Sequence, residues 1–291
     1  MKPPPFTYHA AKTAQDAVAL LAEHKEQARV LAGGQSLVPL MNFRLAQPDH
    51  LIDINPSAEL DYIRRTDGVL AIGARTRQSE LERSVEAGGH APLLVEAVKL
   101  VAHAPIRHRG TVAGSLAHAD PAAELPTAAL ALGGEMLVMS ARGQRTVPVA
   151  DFFKGPFATA LAPDELLVEY RAPAWPARTG QAFLEFSRTH GNFAVVGVAA
   201  LVRMDGRKVE LAAIALCGVA GTPVRAVKAE QELHGKVPSD QVIEAAAEAA
   251  VAGLKPASDV HGSREYRRKV ARVFVRRALQ LAVARARGER S

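Results

Sequence analysis

Val30-Leu31-Ala32-Gly33-Gly34-Gln35-Ser36-Leu37-Val38-Pro39-Leu40-Met41-Asn42-Phe43-Arg44-Leu45 carries the fold in outline. A short apolar strand enters a Gly-Gly turn, a polar pair follows, and an amphipathic helix begins. Two adjacent glycines let the backbone bend tightly and leave no Cβ in the way of a ligand. Ser36 stands where the helix starts and is a favourable N-cap residue type. Ala32, Gly33, Gly34, Gln35, Ser36 and Leu37 then present a fan of backbone N–H groups, a natural seat for a phosphate or pyrophosphate. An ordinary strand-to-helix turn has the same ingredients, so this stretch needs a partner.

Arg109-Gly110-Thr111-Val112-Ala113-Gly114-Ser115-Leu116-Ala117-His118-Ala119-Asp120-Pro121 supplies one. Small residues and hydroxyls again precede an apolar helix, expected over residues 126–132. Two anion-cradling loops suggest one ligand with an extended phosphate, held from both sides. Other nucleotide and catalytic signatures are missing: there is no G-x-G-x-x-G, no G-x-x-x-x-G-K-[ST] and no H-E-x-x-H. Gly34-Gln35-Ser36-Leu37-Val38 starts like a nucleophile elbow, but Val38 stands where that motif needs its final glycine. His118-Ala119-Asp120, joined by His190, His234 or His261, would make a two-histidine, one-carboxylate iron site.

The two loops resemble the FAD-binding loops of the flavoprotein (medium) subunit of molybdenum hydroxylases, the family of carbon monoxide dehydrogenase and xanthine dehydrogenase. Ala32 to Leu37 is similar to the first loop. Thr111-Val112-Ala113-Gly114-Ser115 with residues 117–126 is similar to the second. Residues 186–194 and 265–268 resemble parts of the family's C-terminal domain. The resemblance implies an α+β fold: a two-subdomain FAD-binding domain of the vanillyl-alcohol-oxidase-like type, then a small domain with a three-stranded antiparallel sheet and helices. It implies FAD in this chain, with molybdopterin on a large partner subunit and two [2Fe–2S] clusters on a small one, in a dimer of heterotrimers. Electrons would pass through the clusters to FAD and on to NAD⁺, a quinone or oxygen. No catalytic group and no metal ligand is expected from this chain.

By the same resemblance, the N–H groups of Gly33 to Leu37 hold one side of the pyrophosphate, and Ser36 adds a hydroxyl. Thr111, Ala113, Gly114 and Ser115 hold the other side or the ribityl chain. Asp120 or Glu124 accepts from ribose or ribityl hydroxyls, with Glu124 favoured for one contact; plain N-capping is their structural alternative. Val101, Ala102 and Leu161 are apolar walls of the ring system, and Phe193 stacks on it or gates it. Gly34→Val is expected to abolish FAD binding while leaving the C-terminal domain folded. The chain departs from the family at Ala113, where a glycine is common, so that position must avoid positive φ. His108 replaces a frequent asparagine, Asn192 a frequent aspartate and Phe193 a tyrosine capable of hydrogen bonding. A self-sufficient flavin oxidase or reductase is the alternative enzyme reading.

The 291 residues, 48% of them hydrophobic, are enough for two modest domains. No apolar run approaches the roughly 18 residues of a membrane span, and residues 1–6 have no signal-peptide character. Cys217 is the single cysteine, so neither a disulfide nor a cysteine-ligated cluster can be built by this chain alone. A reducing, cytoplasmic compartment is expected. The net charge is +6, yet residues 264–290 carry ten Lys/Arg against two acids, leaving the remainder about −2. Such a basic tail could meet nucleic acid; a solvated face or subunit contact is the commoner outcome.

Local signals outline the rest. Phe6 and Tyr8 are expected to dock the proline-rich start on the core, and Thr13 with Asp16 forms a capping box. Residues 29–32 and 50–54 read as strands. Asp67-Gly68 and Arg142-Gly143 turn two hairpins, and Thr76 caps a short helix ending at 83. Residues 91–101 form a helix, and 164–170 a strand. Pro173, Pro176 and Gly180 mark a linker, which divides the chain into domains 1–176 and 177–291. Residues 181–188, 194–204 and 208–219 read as three strands, with Asp205-Gly206 turning the last two. Helices follow over 223–233, 239–254 and 263–287. The last is expected to pack through Tyr266, Val270, Val273, Phe274, Ala278 and Leu281.

Overall fold

The computed structural model describes residues 2–289; Met1, Arg290 (counted above in the basic tail) and Ser291 lie outside them. The fold is α+β in two domains. It begins with a three-stranded parallel sheet in which His50–Asp53 lies between Thr7–Ala10 and Ala28–Leu31. The helix Ala14–His24 joins the first two strands in sequence and buries Ala14, Ala17, Val18 and Leu21, the i, i+3, i+4, i+7 stripe of a core-facing helix. Its capping box is complete: the Asp16 N–H donates to Thr13 Oγ1 and the Thr13 N–H to Asp16 Oδ2, both at 3.0 Å. The docking expected of Phe6 and Tyr8 does not occur, since they are 37% and 53% exposed. Residues 7–10 instead pair through their backbone with a strand some forty positions away, and Tyr8 lies on the surface, its hydroxyl donating to Asp53 Oδ2 at 2.7 Å.

A five-stranded antiparallel sheet completes the first domain, in the order Ile63–Thr66, Val69–Gly73, Leu166–Pro173, Glu135–Ser140, Gly143–Pro148. Asp67 (φ +49°) and Gly68 (φ +77°) both take left-handed conformations, as the tight turn between the first two strands requires. The central strand places fully buried Tyr170 in the core, its hydroxyl donating to the Gly133 carbonyl. Thr76 does not cap the next helix, Gln78–Arg83. Its hydroxyl donates to the Tyr62 carbonyl, and Arg77 occupies the cap position.

The second domain is built on an antiparallel sheet of Gly180–Ser187, Ala194–Asp205, Lys208–Cys217 and Val224–Arg225. The fourth, two-residue strand was expected to open a helix; it pairs with Ala215 and Leu216, and the helix starts at Val227. Asp205 pairs with Lys208, so the turn residues are Gly206 and Arg207, one place later than expected. Every position from Ala194 to Val202 is buried. The alternation of a strand explains this, because successive side chains leave opposite faces. Ala199, Leu201, Ala213 and Ala215 join the core of the first domain, while Val196, Val198, Ala200 and Val202 join that of the second. The sheet is a wall shared by both.

Helices Asp240–Val251 and Arg264–Ala286 cover its outer face. Ser239 and Ser263 cap them through their hydroxyls. The long helix buries Ala271, Val275, Ala278, Leu279, Ala282, Val283 and Ala286; of the residues expected, Ala278 is among them and Val270, Phe274 and Leu281 pack at its margin, half-buried. Tyr266 is 43% exposed. Alanines win this face because the helix sits directly on a strand: a Cβ on Gly180 would lie 1.8 Å from the Ala282 carbonyl oxygen. Its basic face is largely paired. Arg272 meets Glu244 and Glu248, Arg276 meets Glu244, and Arg285 meets Glu96 across the domain seam.

Candidate functional site

Leu31 ends its strand, and Asn55 Nδ2 donates to the Ala32 carbonyl at 2.8 Å. Gly33 follows at a crossing of the two motifs: a Cβ there would lie 2.5 Å from the Arg109 carbonyl oxygen and 2.6 Å from Gly110 Cα. Gly34 takes φ +72°, a left-handed conformation that glycine adopts without strain. Gln35 Nε2 donates back to the Gly33 carbonyl at 3.1 Å. The helix is short, Leu37–Asn42. Ser36 holds its N-cap position with a helical backbone, and its hydroxyl makes no capping bond, contrary to the expectation for that residue type. Among the described residues, the N–H groups of Gly33, Gly34, Gln35, Ser36 and Leu37 donate to no protein acceptor, whereas the Val38 N–H donates to the Gly34 carbonyl. A row of unspent donors on glycine-bent backbone fits an anionic diphosphate.

The second motif is itself a helix, Val112–His118, and not a loop leading to residues 126–132. Thr111, in extended conformation, caps it by accepting from the Gly114 N–H at 3.0 Å. Ala113, Gly114 and Ser115 form its first turn, so Ala113 satisfies the need to avoid positive φ by being helical. The Val112 N–H donates to the Thr76 carbonyl and the Ser115 N–H to the Thr111 carbonyl. These donors are spent on the protein, which leaves hydroxyls as the main polar groups of this side. Ala119, at φ +52°, ends the helix, and Asp120 Oδ1 then accepts from the Ala122 N–H at 2.8 Å.

Two residues that the sequence reading passed over tie the motifs together. Asn55 Oδ1 accepts from Arg77 Nη2, and Arg77 Nη1 donates to the Arg109 carbonyl. The chain of bonds runs from Ala32 through Asn55 and Arg77 to Arg109. Nothing in their spacing announces this, since the four positions meet only through the fold.

Of the residues proposed as ring walls, Val101, Ala102 and Phe193 sit on segments that meet. Val101 and Ala102 (φ +42°) form a turn whose two carbonyls both accept from Arg107 Nη1. Arg107 also pairs with Glu82 at 2.9 Å. His103, beside this turn, has its ring 5.7 Å from that of His190, and a Cβ on Gly191 would press into the His103 ring. Phe193 follows, 72% exposed. Leu161 is half-buried after the strand Ala158–Thr159, which packs against the Val112–His118 helix.

Glu124 opens the helix Glu124–Leu132 and is buried against Glu185 of the second domain. Desolvation, then the neighbouring Glu185 charge, pushes Glu124 up to about 8; desolvation raises Glu185 to about 7, against hydrogen bonds from Ser187 and Glu124. Cys217, Thr127 and Asp120 also face this pair. Folded pKa values above the unfolded value make the protonated pair the stabilising form. That stability is present in full below about pH 4.5 and is lost as pH rises through 7 to 8. The melting temperature is therefore expected to fall by about 3 °C more between pH 6 and 9 in the wild type than in Glu185→Gln. Parallel melting curves across that range check this; equal slopes would remove the pair from the pH response.

The iron reading fails on geometry. Among the described residues, the only metal-competent cluster of three or more His, Cys, Asp or Glu is His9, His24 and His50. His118 and Asp120 are joined by neither His190, His234 nor His261.

Comparison with known proteins fits this arrangement. Residues 4–175 match the family described as the FAD binding domain in molybdopterin dehydrogenase, and residues 181–282 match the CO dehydrogenase flavoprotein C-terminal domain. The chain is 44% identical to the 6-hydroxypseudooxynicotine dehydrogenase complex subunit alpha of Paenarthrobacter nicotinovorans, over 99% of this chain and 97% of the relative. A subunit of carbon monoxide dehydrogenase from Hydrogenophaga pseudoflava superposes with a TM-score of 0.96 at 42% identity, covering 98% of this chain and 99% of that one. A chain of quinoline 2-oxidoreductase from Pseudomonas putida 86 superposes at 0.93 and 38%, covering 99% of each.

Proposed function

The chain belongs to the family of FAD-binding subunits of molybdenum hydroxylases, and from that footing we propose that it relays electrons from the [2Fe–2S] clusters of a small partner subunit to an external acceptor. Substrate is oxidised meanwhile at the molybdenum cofactor of a large partner, in a cytoplasmic dimer of heterotrimers. The observation that carries this reading is the crossing of the two motifs at Gly33, with five unspent N–H donors beside it. We place the boundary between the two domains at 176/177.

When bound, FAD supplies the redox chemistry; the chain binds, orients and shields it. The N–H groups of Gly33 to Leu37, with the Ser36 hydroxyl, hold one side of the pyrophosphate. Oriented amide dipoles bind an anion without a buried counter-charge. Thr111 and Ser115 offer hydroxyls from the other side, and Ala113 and Gly114 keep that helical turn low enough for close approach. Asp120 reaches ribose or ribityl hydroxyls. Glu124, turned into the domain seam, acts on the cofactor through the position of its helix. Val101, Ala102 and Leu161 exclude water from the ring, and Phe193, at the surface, covers its edge. No helix among the described residues is long and apolar enough to cross a membrane.

Purification from the native host tests the whole reading. A flavin spectrum with added iron–sulfur absorbance and two partner bands is expected; a yellow chain that turns over substrate alone would overturn it in favour of a self-sufficient flavoenzyme. The Asn55–Arg77 tie is tested separately. Asn55→Ala should weaken FAD binding about tenfold, or about 1.4 kcal/mol, by freeing Ala32 from Arg109. Fluorescence titration of the apo chain reads this, and an unchanged affinity would show that the motifs hold their spacing without the tie.

A further inference from the structure

Three imidazoles meet at the edge of the parallel sheet farthest from the Gly-Gly turn. His9 comes from the strand Thr7–Ala10, His24 ends the helix Ala14–His24, and His50 opens the strand His50–Asp53. One ring nitrogen from each lies within 4.8 Å of the others. His9 Nε2 is 3.0 Å from His50 Nδ1. The rings of His24 and His50 stack with centroids 3.7 Å apart and planes 5° from parallel. All three are half-buried.

We propose that His9, His24 and His50 form a binding site for one divalent transition-metal ion of the zinc type. Neutral imidazole is the commonest protein ligand for such ions, and three protein ligands with water as a fourth is an established coordination set. Two nitrogens on one tetrahedral zinc stand about 3.4 Å apart, given Zn–N distances near 2.1 Å, close to the spacing here; the parallel rings of His24 and His50 aim their lone pairs side by side, so one of the two must swing out of the stack to bring its nitrogen onto the ion. The site has electrostatic support. His24 lies in the last turn of its helix, where backbone carbonyls favour a cation. The Glu23 carboxylate lies 3.8 Å from His24 Nε2.

The placement says what the ion would do. His50 pairs with Ala28, at the opening of the strand that runs on to the Gly-Gly turn, whereas Leu31 pairs with Asp53 at its far end. His9 pairs with Ile52, level with Val30 but on the edge strand, so the metal would sit across the central strand from the strand that feeds the Gly-Gly turn, and outside the electron path. It would fasten the edge strand and the helix end to the central strand, stabilising the N-terminal layer by binding the folded form alone.

Equilibrium dialysis of the untagged, chelator-stripped full chain against ZnCl2, with metal content read by mass spectrometry, tests this. A parallel Co²⁺ titration read by visible absorption reports coordination. About one zinc per chain and a visible Co²⁺ band are expected. His24→Leu and His50→Asn should each lower affinity at least about tenfold, with the flavin spectrum unchanged. His24 is at a helix end, so His24→Leu should fold even if His50→Asn does not. Absence of stoichiometric zinc, or retention unaltered in His24→Leu, would overturn the proposal and leave the cluster a hydrogen-bonded stack of rings.

Discussion

Gly33→Ala should lower FAD affinity at least about a hundredfold, a loss of about 2.7 kcal/mol. The new methyl group would lie 2.5 Å from the Arg109 carbonyl oxygen and 2.6 Å from Gly110 Cα. Both neighbours are backbone, so neither can swing aside as a side chain would. The motifs must separate, and the donors on the two sides then no longer face one diphosphate. Gly34→Val should act as severely by another route, because a β-branched residue resists φ +72°. Sequence reading put Gly33 next to the ligand; the structure adds a second demand, the approach of the other motif. Fluorescence titration with FAD, beside circular dichroism to confirm folding, separates lost binding from lost structure. A folded Gly33→Ala chain with stoichiometric FAD would defeat the pyrophosphate assignment.

Arg267→Met should destabilise the chain by about 3 kcal/mol and lower its melting temperature by roughly 8 °C. Arg267 is 6% exposed. Its Nη1 donates to the carbonyls of Val195 at 2.7 Å and Gly218 at 3.0 Å, and its Nη2 to Asp259 Oδ2 at 2.7 Å. These bonds hold Asp259 well below the usual carboxylate range. Methionine fills a similar volume but leaves two inward carbonyls without a donor, and unpaired buried acceptors account for most of the loss. Arg267→Lys keeps the charge but cannot span three acceptors with one ammonium group, so it should fall between. Thermal and urea unfolding read the effect. A loss below about 1 kcal/mol would show that water replaces the guanidinium inside the second domain.

What was legible in the sequence was local. The capping box at Thr13 and Asp16 and the turn at Asp67-Gly68 each depend on residues within three positions of one another. Motif similarity indicated the family and the order of the domains. Contacts between distant positions were not legible. The edge strand Thr7–Ala10 exists because of residues 50–53, and the Asn55–Arg77 tie exists because the fold brings Ala32 to Arg109. Small residues misled twice. Ala113, Gly114 and Ser115 looked like a loop, yet the Thr111 cap makes them a helical turn. In the last helix Val270, Phe274 and Leu281 looked like the centre of the packed face, yet they lie at its margin, and the approach of Gly180 to Ala282 selects alanine for the centre.

The strand Ala194–Asp205 has a consequence for how this protein can change over time. Between Val198 and Val202 its odd-numbered side chains answer to one domain and its even-numbered ones to the other. A substitution that enlarges Ala199 or Leu201 must be matched in the first half of the gene, and one at Val198 or Ala200 in the second. The two halves are therefore inherited as a co-adapted pair, and recombination between distant relatives at the linker would join walls that were never fitted to each other.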